Sequence, residues 1–191
     1  MKISFILAAV LGTLTFAAQA APKDASIGPY AGAEIGRTSF SLKSSLPVTA
    51  SDKSGNAISI FGGYNFDQNF GAEAGYTSFG SFSETATVAS VATRQDGKAR
   101  SFYAVGTARA NLTDSFGVHG RAGVSFGKVT GTNVLPAADS LMGSKRSLLV
   151  GIGADYKLTS NITLTADYNH YGKLSNNVKA NTLMVGAKVS F

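Results

Sequence analysis

The stretch Phe61–Gly80, FGGYNFDQNFGAEAGYTSFG, limits the chain most. It reads as two strands around a tight turn, Asp67-Gln68-Asn69. Ile60, Gly62, Tyr64 and Phe66 share one face, which Phe70, Ala72, Ala74 and Tyr76 continue beyond the turn. The opposite face holds Gly63, Asn65, Gly71, Glu73, Gly75 and Thr77. Alternation with a period of two places successive side chains in two unlike environments, one apolar and one small or polar. Turned inward, the apolar face would build a soluble sandwich. Turned outward against lipid, it would build a membrane barrel with a polar interior.

Residues 1–20 read as a signal peptide: Lys2, an apolar run from Ile3 to Ala18, and the small-x-small pattern Ala18-Gln19-Ala20. Residues 21–191 then form one domain. Beyond residue 20 no apolar run reaches the roughly 18 residues of a spanning helix. Yet hydrophobic residues make up 44% and charged residues only 15% of the chain, too few charges for most soluble proteins. The 22 glycines are scattered through strand-like segments, and the absence of cysteine excludes a disulfide framework and thiol chemistry. Strands in a bilayer satisfy both the apolar content and its interruption.

Six further strands in chain order bring the total to eight. The first spans about Gly28–Phe40, and loops are expected at Ser41–Gly55, Ser81–Lys98 and Val129–Gly143. Thr113-Asp114-Ser115 and Thr159-Ser160-Asn161 repeat the tight turn, within YNFDQNFG, ANLTDSFG and YKLTSNIT. Short turns therefore alternate with long connections, the pattern of an eight-stranded antiparallel up-and-down transmembrane β-barrel. A soluble lipocalin-type barrel shares the alternation. Lipid is favoured because the polar face is crowded with glycine and its charges are mid-strand and of mixed sign. Aromatics also gather near the strand ends: Tyr64, Phe66, Phe70, Phe116 and Tyr156 on the turn side, Phe40, Phe79, Phe102, Phe126 and Tyr168 on the loop side.

The sequences FGGYNFDQNFGAEAGYTSFG, ADYNHYG and NTLMVGAKVSF together resemble the outer membrane protein A-like transmembrane barrel family, over nearly all of residues 21–191. That family includes small surface and opacity-type proteins of Gram-negative bacteria. The resemblance implies an outer-membrane location and work in envelope integrity, adhesion or binding of a host surface or serum factor. It also implies that Val185, Ala187, Val189 and Phe191 form the signal read by the barrel-assembly machinery. No peptidoglycan-binding domain follows Phe191, so no tether to the cell wall is implied.

An eight-stranded barrel is just wide enough to be filled by side chains. Glu34, Glu73, Arg109, Arg121, Asp155, Lys157, Asp167 and Lys188 are therefore expected to pair inside it, since unpaired charges there are costly. A small low-conductance pore is the alternative. Basic residues prevail on the loop side, and Lys128, Lys145, Arg146, Lys173 and Lys179 form a rim suited to the phosphates of lipopolysaccharide. Catalytic signals are thin. His119 reads as a hydrogen-bonding interior residue. His170 with Ser175 is the one pair that suggests a lipid A-modifying barrel enzyme, and its spacing does not match the His-x-Ser-Asn pattern of such enzymes. The run Gly123–Thr130 mimics a phosphate loop but is one residue short, has Val129 after Lys128, and lies in a strand. No catalytic, cofactor or metal site and no nucleic-acid motif is assigned.

Overall fold

The computed structural model describes residues 27–42, 48–52, 54–88, 91–131 and 142–191. The expected signal peptide, residues 21–26 and most of the expected Val129–Gly143 loop lie outside the described residues.

Nine strand segments follow one another: β1 (Gly28–Leu42), β2 (Val48–Asp52), β3 (Ser54–Asn65), β4 (Phe70–Val88), β5 (Val91–Asn111), β6 (Phe116–Gly131), β7 (Gly143–Lys157), β8 (Ile162–Lys173) and β9 (Val178–Ser190). Each pairs antiparallel with its neighbours, and β1 pairs with both β3 and β9, so the sheet closes on itself. β2 and β3 both lie along β4, β2 opposite Ser83–Ala86 and β3 opposite Gly71–Ser78. They count as one broken stave, which gives an eight-stranded barrel. Closure leaves no free edge in the wall, the condition for strands to cross hydrocarbon.

The outward positions carry Ile35, Ile60, Phe70, Phe102, Val124, Leu148, Ile152, Leu164, Leu183 and Val185, all exposed. Inward positions are buried and largely polar: Glu34, Ser59, Glu73, Thr77, Arg121, Asp155, Asp167 and Thr182. An apolar band this continuous is stable only against lipid.

The three tight turns share one construction. Asp67 Oδ1 accepts from the backbone N–H of Asn69 and Phe70, both at 2.7 Å. Thr113 Oγ1 does the same for Ser115 (3.3 Å) and Phe116 (2.9 Å), and Thr159 Oγ1 for Asn161 (3.3 Å) and Ile162 (3.0 Å). A side-chain oxygen that replaces a backbone acceptor explains why Asp or Thr opens each turn. The third turn residue then ties each hairpin to the next: Asn69, Ser115 and Asn161 accept through their carbonyls from Arg109, Lys157 and Ser190.

Two expected loops are corrected. Within Ser81–Lys98, β4 continues to Val88 and β5 begins at Val91, paired from Ser81↔Lys98 to Val88↔Val91. Within Ser41–Gly55, residues 48–52 form β2. The phase break lies at Gly80, whose φ of 79° places it in the left-handed region, beside a register shift between Ser78 and Ser81. Such a bulge moves the alternation by one residue, so Phe79 and Phe82 both point inward. The 21 residues of β5 span roughly 70 Å, against an apolar band of roughly 25 Å, so the β4–β5 hairpin stands well clear of the membrane.

Candidate functional site

The interior of the barrel has two layers. Toward the short turns lies a charge network drawn from seven strands. Arg121 on β6 sits at its centre, with Nη1 3.2 Å from Glu73 Oε1, Nη2 2.6 Å from Asp167 Oδ1 and Nη2 4.0 Å from Glu34 Oε1. Glu73 also accepts from the hydroxyls of Tyr30 and Tyr103, each at 3.0 Å. Thr165 donates to Glu34 Oε1 at 3.1 Å. A second centre is Asp155, which receives Arg109 Nε at 3.0 Å and Lys188 Nζ at 2.9 Å. His119 bridges the two, with Nε2 2.7 Å from Asp167 Oδ1 and Nδ1 3.2 Å from Asp155 Oδ2. Four carboxylates face three fixed cations, and His119, when protonated, supplies the fourth positive charge between Asp155 and Asp167.

Seven of the eight residues expected in this network are thus brought together. Lys157 is the correction: it shares the parity of Asp155 but stands exposed beside the turn, where water solvates it. His119 joins the network as the hydrogen-bonding interior residue expected, with Nε2 2.7 Å from Asp167 Oδ1. Glycine makes the space. A Cβ on Gly153 would lie 2.7 Å from His119 Nε2 and clash with Asp167 Oδ1, and one on Gly75 would lie 2.6 Å from the Tyr103 ring. One void among the described residues, lined by Tyr30, Glu73, Arg109, His119, Arg121 and Lys188, is about 10 Å³, at most one water.

Toward the long connections the interior turns apolar. Phe40, Phe79, Phe82, Leu149, Tyr171, Leu174 and Val178 pack together there. Phe40 and Phe79 were expected in the outer aromatic belt; they point inward and form this plug. Phe79 meets Tyr171 edge-on at 4.7 Å, and Phe40 meets Phe82 at 4.7 Å. The β8–β9 connection folds into the mouth, so that a Cβ on Gly127 would lie 2.5 Å from the Leu174 Cα. Tyr171 joins the layers: its hydroxyl bonds Thr77 Oγ1 at 3.0 Å, and Thr77 bonds Ser59 Oγ at 3.0 Å. Ser175 is buried in this mouth, whereas His170 bonds Asn181 Oδ1 across β8 and β9 at 2.6 Å.

The five rim cations do not form one ring. Lys128, Lys145 and Arg146 line a single cleft of about 540 Å³ on the outer wall, joined by Arg100, Phe102 and Phe126. Lys173 and Lys179 pair with each other on β8 and β9, outside that cleft. Arg100 completes the cleft because β5 sets it directly opposite Lys128, a neighbour visible only once the register is known. On the last strand Val185 faces outward, Ala187 and Val189 are half-buried, and the N–H of Phe191 bonds the carbonyl of Pro29 at 3.0 Å.

A closed antiparallel barrel with an apolar belt, a filled polar interior and short turns at one end defines the class of small outer membrane barrels. The family model for the outer membrane protein beta-barrel domain matches residues 6–191, and the chain belongs to that family. Solved structures agree on the fold. Ail, the attachment invasion locus protein of Yersinia pestis, is 21% identical, covers 86% of this chain and all of its own, and superposes with a TM-score of 0.54. Neisserial surface protein A is also 21% identical, with 86% and 97% covered and a TM-score of 0.57. The outer membrane protein OprG of Pseudomonas aeruginosa is 15% identical, with 86% and 96% covered and a TM-score of 0.60. No curated protein matches in sequence. The protein is therefore an outer membrane β-barrel, and its location is the outer membrane.

Proposed function

We propose that this barrel is a non-conducting, non-enzymatic surface protein that displays its extended β4–β5 hairpin and loop-side cations to external partners. The sealed interior carries the reading. Ions that enter from the turn side meet a paired network with room for at most one water, and ions from the loop side meet an apolar plug in which Phe79, Leu149, Leu174 and Val178 are fully buried. Among the described residues these two layers favour a closed lumen over a wet path. The apparatus left to act is external: a hairpin that rises far beyond the bilayer and a basic outer rim.

A host surface or serum factor is the partner class that fits such a display. Ail, a barrel of the same fold, has been crystallised in complex with the heparin analogue sucrose octasulfate. The positive balance of this chain, +6 overall, suits a sulfated polyanion in the same way. Insertion depends on the barrel-assembly machinery, which reads Val185, Ala187 and Val189 of β9 with Phe191 just beyond it.

The test is conductance in planar bilayers together with binding of cells to immobilised heparin. No steps of conductance are expected. Replacing Lys98, Lys173 and Lys179 with Gln should weaken heparin binding while leaving the barrel in the membrane. Stable single-channel openings would replace this reading with the small-pore one.

A further inference from the structure

We propose that the lumen holds an enclosed chain of about two ordered waters between the charge network and the apolar plug, bound by Thr38, Thr182, Asn169 and Arg121. The site goes beyond the reading of an external partner and does not depend on it.

Buried polar atoms in folded proteins almost always have a hydrogen-bond partner. Among the described residues, Thr38 Oγ1, Thr182 Oγ1, Asn169 Oδ1, Arg121 Nε and Asp167 Oδ2 are buried and have no hydrogen-bond partner in the protein. Thr38, Thr182, Asn169 and Asp167 are at most 2% exposed, and Arg121 is 7% exposed. The register gathers them. Thr38 on β1 lies opposite Thr182 on β9, Thr182 opposite Asn169 on β8, Asn169 opposite Gly151 on β7, and Gly151 opposite Arg121 on β6. The next inward positions toward the long connections are Phe40, Ala180 and Tyr171, all part of the plug. The next inward position on β8 toward the short turns is Asp167, part of the network. The unpartnered atoms therefore form one polar tier between the two layers.

Spacing and chemistry both select water. Facing residues on paired strands stand roughly 5 Å apart, and a water with two bonds of roughly 2.8 Å spans that distance. One molecule bridges the two threonine hydroxyls. Asn169 leans across Gly151: a Cβ there would clash with Asn169 Oδ1 and lie 3.0 Å from Arg121 Cγ. Asn169 Oδ1 can only accept and Arg121 Nε can only donate, so a second molecule accepts from Nε and donates to Oδ1. The third bond of each water joins the two molecules or reaches Asp167 Oδ2. A metal ion would satisfy the oxygens but would face the Arg121 guanidinium. The tier carries Thr, Gly and Asn where its neighbours carry Arg, Tyr and Phe, so the space comes from small side chains. The plug on one side and the ion pairs on the other cut the chain off from bulk water.

The test uses the sign of a shape-preserving substitution. Replacing threonine by valine lowers stability where the hydroxyl is bonded through water, and raises it where the hydroxyl is unsatisfied. In a urea titration of the barrel in lipid vesicles, Thr182→Val and Thr38→Val should each lower the midpoint by roughly 0.5 M. The double variant should lose less than the sum, because both hydroxyls share one water. Unchanged or higher midpoints overturn the proposal. A crystal structure that resolves ordered water should show one peak within hydrogen-bond distance of both threonine oxygens and another between Asn169 Oδ1 and Arg121 Nε. Thr182→Val should lose the first peak and keep the second; if that variant fails to fold, the parent structure decides alone. Threonine hydroxyls bonded to backbone carbonyls, with no peak between them, overturn the proposal even if the midpoints fall. Peaks with oxygen contacts of roughly 2.4 Å would mean a metal ion and also overturn it.

Discussion

Replacing Arg121 with methionine removes one guanidinium and keeps an unbranched chain that can occupy the same track. The loss is larger than for a surface ion pair because the partners stay behind. Arg121 makes close contacts to Glu73 (3.2 Å) and Asp167 (2.6 Å), with Glu34 at 4.0 Å, and the side chains at each contact are almost fully buried. Two charge-assisted hydrogen bonds at about 1.5–3 kcal/mol each give about 3–6 kcal/mol. Breaking a buried ion pair by removing one partner costs about 3–5 kcal/mol on independent grounds. The two figures overlap, so Arg121→Met should lower unfolding free energy by about 3–5 kcal/mol. A urea titration of the barrel in lipid vesicles, read by the heat-modifiable gel shift, measures it. Adding Glu73→Gln should return part of the loss, with a coupling of at least about 1 kcal/mol, because the two residues share one contact network. A loss under about 1 kcal/mol, or no coupling, would mean that water reaches these charges and the lumen is not sealed.

Gly153→Val should destabilise by about 1–3 kcal/mol, since its side chain would enter the space of His119 and Asp167; the same titration reads it. Phe79→Ala should cost about 3–5 kcal/mol, because a fully buried ring against Tyr171 leaves a cavity in the plug. Thr113→Ala removes the acceptor for two backbone N–H groups of one turn and should cost about 1 kcal/mol, with slower refolding in a gel-shift time course. Lys157→Gln should change stability by no more than about 0.5 kcal/mol, which separates it from the seven paired residues.

The hairpins were legible because lipid and lumen impose opposite demands on adjacent residues. Tyr64, Phe66 and Phe70 against Asn65, Gly71 and Glu73 can satisfy those demands in one phase only. Depth and phase shifts were not legible. Parity assigns Lys157 to the face of Asp155 but does not say that it lies past the last layer of the lumen. The bulge at Gly80 resets the alternation without changing the composition around it, so it is Phe82 whose inward direction the parity hides; Phe79 keeps the parity of Glu73 and Thr77 and reads as belt only because it stands near a strand end. The apolar plug was missed for a different reason. A lumen is expected to be polar, and Leu149, Leu174 and Val178 come from separate strands and a connection that only the fold brings to one mouth. The cleft cation Arg100 needed the β5–β6 register, which no single segment contains.

The inside-out arrangement of the wall is the claim on which the rest depends, and the chain has no tryptophan to obscure a probe. Single tryptophans at Leu183, Met184 and Val185 in turn, with the protein in vesicles of brominated phosphatidylcholine, test it directly. Strong quenching at 183 and 185 with weak quenching at 184 is the expected result, since Leu183 and Val185 face outward and Met184 is buried. Weak quenching at 183 and 185, with the protein recovered in the aqueous fraction, would contradict it.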